Sequence, residues 1–251
     1  MAKSVHRAVG VDIGGTGMKA GIVDLEKGAL LSDRVRIPTP EGAKPKDVLA
    51  TVRELLDLLG PDADSLPLGV CFPTIVKNGR TLSAANVSKK WLNFEAEKFF
   101  EDGLGRDIHF VNDADAAGLA ELRYGAAKDR PGLTILTTLG TGIGSAFLFE
   151  GALVPNTELG HLQWDGHSIE RYAAATARER DGLSWEQWAH RLQKFYDHVE
   201  FLFSPDLILV GGGVSKNPEK FMPLLKTRAE MIPAVHRNNA GIIGAASLAL
   251  A

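Results

Sequence analysis

Apolar residues along this chain fall into short runs and one-faced patterns that alternate between strand-like and helix-like segments. The runs predict strands at 8–11, 20–24, 30–37, 68–72, 108–111, 133–139, 144–149 and 207–210. The helix-like segments are 46–59, 114–124, 184–203 and 240–251. In the first helix-like segment, apolar side chains recur at the spacing of one helix face, at Val48, Leu49, Val52, Leu55, Leu56 and Leu59. The alternation of strands and helices predicts an α/β fold.

The turn between the first two predicted strands has the composition of a phosphate-binding loop. Its adjacent glycines, Gly14 and Gly15, let backbone N–H groups approach a ligand without a Cβ in the way. Thr16 adds a hydroxyl donor, Lys19 adds a positive charge, and Asp12 is suited to hold Mg²⁺ through water or to orient a phosphate. The stretch matches neither of the two common glycine-rich nucleotide motifs, so an ordinary glycine-rich hairpin is the alternative.

A weak internal repeat links the two halves of the chain. The first reversal, predicted at 12–16, recurs at Gly140, Thr141 and Gly142 as a second Gly/Thr turn between two strands. Two such halves facing each other predict two lobes, with a phosphate-binding turn on either side of one cleft. Ligand sites favour such interfaces between lobes.

Composition narrows the class of protein. The chain has 251 residues, of which 45% are hydrophobic and 24% charged, which is enough for a sizeable core in one domain or two lobes. Its net charge of −3 argues against a nucleic-acid-binding surface. Cys71 is the one cysteine, so neither an intrachain disulfide nor a thiolate metal cluster is expected. The first residues lack the apolar core of a signal peptide, and no apolar run has the length of a membrane span, so we expect a cytoplasmic protein without membrane association.

Five motifs span most of the chain in the order 12–19 (DIGGTGMK), 111–117 (VNDADAA), 139–146 (LGTGIGSA), 158–161 (ELGH) and 210–215 (VGGGVS). The three glycine-containing motifs resemble the phosphate-1, phosphate-2 and nucleotide-side motifs of actin-like sugar kinases. The other two narrow the resemblance to the ROK (repressor, open reading frame, kinase) group. The resemblance implies the actin-like ATPase (ribonuclease H-like) fold, with α/β lobes at 1–111 and 112–239 and the C-terminal helix 240–251 packed back on the first lobe.

Further stretches are similar to the polyphosphate glucokinase branch of this group, at 155–161, 85–87 with Trp91, 211–216 and 239–246. This resemblance implies Mg²⁺-dependent phosphoryl transfer from inorganic polyphosphate, with ATP as an alternative donor, to the 6-hydroxyl of glucose. It also implies a homodimer. An ATP-dependent glucokinase and a polyphosphate/ATP glucomannokinase that also accepts mannose are the alternative enzymes. ROK proteins commonly carry a cysteine-rich zinc loop after the E-x-G-H motif; because 162–169 contains no cysteine, we expect no structural zinc.

Phosphoryl transfer to a hydroxyl needs a group that accepts the hydroxyl proton, and the resemblance assigns that role to Asp113. Asp113 stands where a predicted strand ends and a helix begins, so the alternative is that it only caps the helix. Asp115 is the rival carboxylate. Glu158 and His161 are three residues apart, so on a helical turn they would share one hydroxylated ligand. The glucose-binding residues implied by the resemblance are Asn86, Asn112, Asp113, Glu158, His161 and Glu170.

The donor side of the implied site consists of glycine-rich turns and cations. We expect phosphates to be held by Gly14, Gly15, Thr16, Lys19, Gly140, Thr141, Gly142, Gly211, Gly212, Gly213 and Lys216, with Mg²⁺ near Asp12. A polyphosphate donor has no base to stack but carries many charges, so it needs cations along its path. Lys220, Lys89 and Lys90 are further candidates for that path, although surface lysines are usually only solvated.

Two other classes of protein fit the sequence less well than a kinase does. A ROK-type repressor would carry an N-terminal helix-turn-helix, and the first motif strand begins too early, at Ala8, for one to fit. A non-catalytic sugar-binding or sensor protein would be expected to lose Asp113 or the phosphate-binding glycines, and the sequence keeps them.

Overall fold

The structure, a computed structural model, describes residues 6–84 and 87–249. Numbered along the chain, its strands are β1 (Arg7–Ile13), β2 (Met18–Asp24), β3 (Ala29–Leu30), β4 (Val35–Ile37), β5 (Leu68–Phe72), β6 (Val76–Lys77), β7 (Arg80–Thr81), β8 (Phe94–Glu95), β9 (Ile108–Asn112), β10 (Leu133–Leu139), β11 (Ile143–Phe149), β12 (Ala152–Val154), β13 (Gln163–Trp164), β14 (His167–Ser168), β15 (Leu207–Gly211) and β16 (Glu230–Pro233). Its α-helices are α1 (Pro45–Leu59), α2 (Ala96–Leu104), α3 (Asp113–Tyr124), α4 (Glu170–Ala173), α5 (Ala175–Arg180), α6 (Trp185–Phe203) and α7 (Ala240–Leu248).

The chain divides into two compact units. The first consists of Met1–Ala120 together with Asn239–Ala251, and the second of Glu121–Asn238. The division therefore falls inside α3, later in the chain than the expected boundary after Val111. The early part of α3 belongs with the first unit because Ala116 packs against α7.

The first unit is built on a six-stranded sheet. Its order is β3-β2-β1-β5-β9, and β4 pairs with the other end of β2. The β1–β2 pair is antiparallel, whereas β5 and β9 run parallel to β1. Apolar residues of α1, including Val48, Val52 and Leu55, pack on this sheet with the buried ring of Trp91. This layer places the ends of β1, β5 and β9 at one edge, where Asp12, Cys71 and Asn112 lie.

Small residues let α7 lie unusually close to the first sheet. A Cβ added to Gly10 of β1 would overlap the carbonyl oxygen of Ile242, and a Cβ added to Gly69 of β5 would overlap that of Ala245. In the same way Gly244 of α7 leaves no room for a side chain against Ala116. Because even one methyl group cannot be accommodated at such a contact without a backbone shift, these glycines fix how α7 is seated.

The second unit repeats the strand order of the first. Its five-stranded sheet has the order β12-β11-β10-β15-β16, with β10 and β11 antiparallel and β15 and β16 parallel to β10. The long helix α6 packs on this sheet through its buried apolar face. Ser184 caps α6 in a capping box with Gln187. The Gly/Thr repeat noticed in the sequence thus corresponds to two sheets that both open with a hairpin.

Several local expectations need correction. The strand expected at 30–37 is two separate short strands, β3 and β4, which pair with different ends of β2. Helix α2, the edge strand β16 and the short helices α4 and α5 were not predicted. The C-terminal helix is described as far as Leu248, and the last two residues of its expected range lie outside the described residues.

No helix in the described part of the chain combines the length and the apolar character needed to cross a membrane. The cytoplasmic location stays a prediction.

Candidate active site

The first glycine turn is shorter than the sequence suggested. The reversal occupies residues 14–17, and Gly14 N donates to Gly17 O at 3.1 Å. Asp12, expected within the reversal, is instead a strand residue directly opposite Lys19 of β2. This register brings Lys19 Nζ to 2.8 Å from Asp12 Oδ2. Lys19 therefore neutralises Asp12 at the base of the turn.

Asp12 is enclosed on its other sides by Cys71 and by the start of α7. The Cys71 thiol lies 3.7 Å from Asp12 Oδ1 and 3.6 Å from the carbonyl oxygen of Gly241. Burial raises the pKa of the Cys71 thiol, and the nearby carboxylates of Asp12 and Asp113 raise it further. Cys71 is therefore a neutral thiol that donates to Asp12, and the two carboxylates lie near the same buried group.

Two residues absent from the sequence-based site support the first turn. The hydroxyl of Thr39 donates to the carbonyl oxygen of Gly14. Arg36 of β4 is paired opposite Lys19, and its guanidinium donates to the carbonyl oxygen of Thr16 at 3.3 Å. The pairing of β4 with the end of β2, which the sequence did not suggest, is what brings a second cation to this turn.

At the start of α3, the residue that caps the helix is different from the candidate base. Asn112, the last residue of β9, accepts hydrogen bonds from Ala114 N at 2.8 Å and Asp115 N at 3.0 Å through Oδ1. Its Nδ2 donates to the carbonyl oxygen of Thr74 at 2.9 Å. These bonds make Asn112 the N-cap of α3 and tie that helix to the loop after β5. Asn112, for which the resemblance implies a glucose contact, is thus a buried residue that caps α3.

Asp113 is the first residue of α3 and is half-buried. Its Oδ1 accepts from Ala114 N at 2.8 Å, which orients the carboxylate at the helix start. Asp115, the rival carboxylate, is only 1% exposed. A base must reach its substrate, so the burial of Asp115 favours Asp113 for that role.

Asn86, the other residue expected to contact the sugar from the first half of the chain, lies outside the described residues. Lys89, which follows this segment, donates to the carbonyl oxygen of Ala84 at 3.0 Å. Lys89 is exposed, so this contact leaves its proposed place on the polyphosphate path a prediction.

The second glycine turn is held by α5. Gly140 N donates to Gly142 O at 3.0 Å, closing the turn between β10 and β11. Thr176, near the start of α5, donates its hydroxyl to Thr141 O at 2.7 Å and its backbone N–H to Gly140 O at 3.2 Å. Thr176 was not among the predicted site residues because α5 carries no clear apolar pattern.

The third glycine motif packs directly beside the second turn. Gly212 has a positive φ of 81°, and a Cβ on it would meet the backbone of Leu139. Ser215 fastens the motif through a 2.8 Å bond from its hydroxyl to Gly212 O. Gly211 to Gly213 therefore lie against the end of β10, close to the turn at Gly140. Lys216, at the end of the following 3-10 turn Gly213–Lys216, is exposed.

The remaining predicted sugar contacts are gathered at the start of β11. Glu158 and His161 flank the 3-10 turn Leu159–His161, and His161 Nδ1 lies 3.2 Å from Glu158 Oε2. Glu170, the first residue of α4, accepts from Ile143 N at 3.2 Å. Gly160 packs on the carbonyl oxygen of Ile143 so closely that a Cβ would overlap it. One strand residue, Ile143, thus joins the E-x-G-H turn, Glu170 and the second glycine turn.

The segment before Glu158 is fixed by reciprocal bonds to β11. The buried hydroxyl of Ser145 donates to Thr157 O at 2.8 Å and accepts from Leu159 N at 3.0 Å. Burial raises the pKa of Glu158. Hydrogen bonding and charge at His161 oppose that rise, whereas the charge of Glu170 adds to it. The ionisation of Glu158 therefore depends on its burial and on the charges of His161 and Glu170.

Within residues 6–84 and 87–249, no group of three or more His, Cys, Asp and Glu side chains is arranged to hold a metal ion.

Comparisons with known proteins agree with the motif order. The sequence model of the ROK family matches residues 8–176. A polyphosphate glucokinase from Mycobacterium tuberculosis is 42% identical over 251 residues, which cover all of this chain and 94% of that protein. The polyphosphate glucokinase of Mycobacterium leprae is 43% identical, over 97% of this chain and 74% of its own length.

Solved structures give the same result for the fold. The inorganic polyphosphate/ATP-glucomannokinase from Arthrobacter sp. strain KM matches with a TM-score of 0.95 and 52% identity, covering 97% of this chain and 98% of that one. A ROK family glucokinase from Streptomyces griseus matches with a TM-score of 0.81 at 24% identity, over 96% and 98% of the two chains, and supports the fold alone. The predicted actin-like α/β fold is confirmed. Because the family model covers more than half of the sequence and close relatives match its whole length, the chain belongs to the ROK family.

Proposed function

We propose that this ROK protein is a glucokinase that transfers a phosphoryl group from inorganic polyphosphate to the 6-hydroxyl of glucose. The observation that carries the proposal is the start of α3, where Asn112 takes over the capping bonds and Asp113 presents a half-buried, oriented carboxylate. The similarity to polyphosphate glucokinases and to a polyphosphate/ATP-glucomannokinase supports this sugar and this donor.

Asp113 accepts the proton of the attacking hydroxyl. Phosphoryl transfer has a loose transition state, so the enzyme contributes mainly positioning and charge stabilisation. A proton acceptor fixed by the bond from Ala114 N is held ready without reorganisation. Asn112 acts as a positioning residue, because its three bonds determine where α3 begins and therefore where Asp113 lies.

Glucose hydroxyls bind to Glu158, His161 and Glu170, with Asn86 and the second N–H of the Asn112 amide as further contacts. The adjacent Glu158 carboxylate and His161 ring offer an acceptor and a nitrogen that donates or accepts. Glu170 is already oriented by Ile143 N. A site built from such groups discriminates against analogues that leave one of them unpaired.

Phosphates of the donor bind to the backbone N–H groups and hydroxyls of the turns at Gly14, Gly15 and Thr16 and at Gly140, Thr141 and Gly142, and to the Gly211–Gly213 motif with Lys216. Mg²⁺ is proposed near Asp12, where it would neutralise phosphate charge. Both oxygens of Asp12 already have partners, Lys19 and Cys71, so the carboxylate fits a contact with a magnesium-bound water better than direct ligation. Lys19 adds a second positive charge at the same position.

The test is phosphorylation of glucose by the purified chain with Mg²⁺, with long-chain polyphosphate and ATP supplied in separate reactions. We expect glucose 6-phosphate with polyphosphate, at a kcat/KM above that with ATP. Activity with ATP alone would overturn the donor, and no activity with either would overturn the kinase. Mannose is tested in the same way, because the Arthrobacter protein is named a glucomannokinase.

The protein is also proposed to be a homodimer. An apolar surface patch on the second unit supports this, with Phe201 81% exposed and Phe149 54% exposed. Val154, Leu202 and Phe203 are the other exposed apolar residues of this patch, which lies on the end of α6, the edge strand β12 and the neighbouring strand β11. Exposed apolar residues grouped in this way are typical of an interaction surface.

A further inference from the structure

Two cationic side chains lie close to the indole of Trp185, the first residue of α6. The guanidinium carbon of Arg178 lies over the indole, 3.8 Å from the ring centroid. Lys220 Nζ lies 5.5 Å from the same ring. The ring of Phe221 is nearly parallel to the indole, at 16° and 6.1 Å between centroids. Cations within about 6 Å of an aromatic centroid are attracted by its electron-rich face, so the half-buried Trp185 fixes two positive charges.

This cluster lies on elements that begin at two of the glycine motifs. Arg178 is on α5, two residues after Thr176, which is bonded to the backbone of the Gly140–Gly142 turn. Lys220 ends the 3-10 turn Pro218–Lys220, which follows the third glycine motif and Lys216. Arg178 therefore follows backbone that is bonded to a proposed phosphate-binding turn, and Lys220 ends the second 3-10 turn after the third glycine motif.

The charges of these residues are not neutralised by acids in the described part of the chain. Among neighbouring cations, Arg180 and Arg191 are both paired with Asp181, at 2.7 and 2.6 Å. Neither Arg178 nor Lys220 forms such an ion pair within the described ranges, and Arg178 Nε is a buried atom without a hydrogen-bond partner there. A guanidinium without an ion pair keeps its charge and the donors of its terminal nitrogens for an incoming oxyanion.

The same cluster is poorly suited to a purine. The indole surface is already in contact with a guanidinium and with a nearly parallel phenyl ring, so a base could stack on Trp185 only by displacing one of them. A chain of phosphates needs no aromatic surface and gains from fixed cations. Arg178 and Lys220 therefore favour an extended polyanion over a nucleotide.

Resting on the proposed kinase function, we infer that Arg178 and Lys220, held in place by Trp185, bind phosphates of inorganic polyphosphate beyond the group being transferred and so select this donor over ATP. Arg178 supplies a planar set of donors to phosphate oxygens, and Lys220 supplies a point charge. Trp185 is a positioning residue in this arrangement.

The test compares donors in Arg178→Ala, Arg178→Lys, Lys220→Ala and the control Lys226→Ala, which removes one exposed cation of the same unit from outside the cluster. In Arg178→Ala the KM for long-chain polyphosphate is expected to rise about tenfold more than the KM for ATP, which corresponds to ~1.4 kcal/mol. Lys220→Ala should show a smaller rise of the same sign. Arg178→Lys should lie between wild type and Arg178→Ala, and Lys226→Ala should change neither KM by more than about twofold.

An equal rise in KM for both donors, or none for polyphosphate, would overturn the inference. Should Arg178→Ala unfold, Arg178→Lys and Lys220→Ala decide the question, since both retain most of the packing on Trp185. Calorimetric titration of each protein with inorganic polyphosphate in the absence of glucose separates this inference from the kinase proposal. If the wild-type chain binds polyphosphate more tightly than Arg178→Ala but transfers no phosphoryl group, only the kinase proposal is overturned. If the wild-type chain and Arg178→Ala bind polyphosphate equally well, the inference is overturned.

Discussion

Replacement of Asp113 by Asn tests the proposed base with little change to the fold. Asp113 Oδ1 accepts a hydrogen bond from Ala114 N, and an asparagine Oδ1 can accept the same bond. The capping bonds of α3 belong to Asn112 and are untouched. We therefore expect the free energy of unfolding to change by less than about 1 kcal/mol, which is a shift in Tm of roughly 2–4 °C for a chain of this size.

The effect of Asp113→Asn on catalysis should be far larger. An amide cannot take up the hydroxyl proton, and loss of a positioned general base typically costs about 10²–10⁴ in rate. That range corresponds to ~2.7–5.5 kcal/mol in activation free energy. The predicted effect on kcat thus exceeds the predicted effect on stability by several-fold, so the two cannot be confused.

Three measurements make this test decisive. Coupled detection of glucose 6-phosphate gives kcat, calorimetric titration with glucose gives its Kd, and thermal unfolding gives Tm. We expect a kcat lowered at least a hundredfold, a Kd for glucose within about fivefold of wild type and a nearly unaltered Tm. Asp115→Asn is the comparison variant for the rival carboxylate. A kcat within tenfold of wild type in folded Asp113→Asn would refute the base, and a greater loss in folded Asp115→Asn would transfer the role to Asp115.

The strands that the sequence predicted well are those whose apolar runs are bounded by glycine, proline or charge. The strands at 68–72 and 133–139 have the same bounds in sequence and structure. The edge strand β16 contains only two apolar residues other than proline, and its pairing comes from β15, far away in the sequence. Helix α2 is nine residues long, so its pattern covers too few turns to stand out.

In the candidate site, a difference of one residue in a helix boundary changes which residue caps α3. With α3 predicted to begin at Ala114, Asp113 occupies the capping position; with α3 beginning at Asp113, Asn112 occupies it. Sequence patterns do not fix helix ends to one residue, whereas the hydrogen bonds to Asn112 Oδ1 do. The motif therefore located both residues but could not tell which of them caps α3.

The supporting residues of the site depend on pairings between distant segments. Arg36 reaches the first turn only because β4 pairs with the end of β2, and Thr176 reaches the second turn only because α5 begins there. Arg178 and Trp185 meet through packing of α5 on the start of α6. Such contacts leave no periodic pattern in the sequence. The motifs therefore predicted the two turns but not the side chains of Arg36 and Thr176 that bond to them.

Gly69→Ala should lower Tm by roughly 4–10 °C, because the added Cβ would overlap a carbonyl oxygen of α7. Gly213→Ala is the control and should leave Tm nearly unchanged, because there is open space at its Cβ. Equal shifts in thermal unfolding would contradict this packing argument. Phe201→Glu should convert the proposed dimer to a monomer, as measured by light scattering after size exclusion. Leu58→Glu, which changes an exposed apolar residue of the other unit, should leave the dimer intact. A dimer that survives Phe201→Glu would show that the dimer interface is on another surface. The affinity for glucose should depend on pH through Glu158, whose pKa is raised by burial. Since the ionised carboxylate is the acceptor, glucose binding is complete above this raised pKa and weakens as pH falls through it, at a higher pH than an ordinary glutamate would give. The KM for glucose measured from pH 8 down to about 4.5, where ordinary glutamates titrate, should therefore rise on the acid side, and the same rise in Glu158→Gln would assign it to another group.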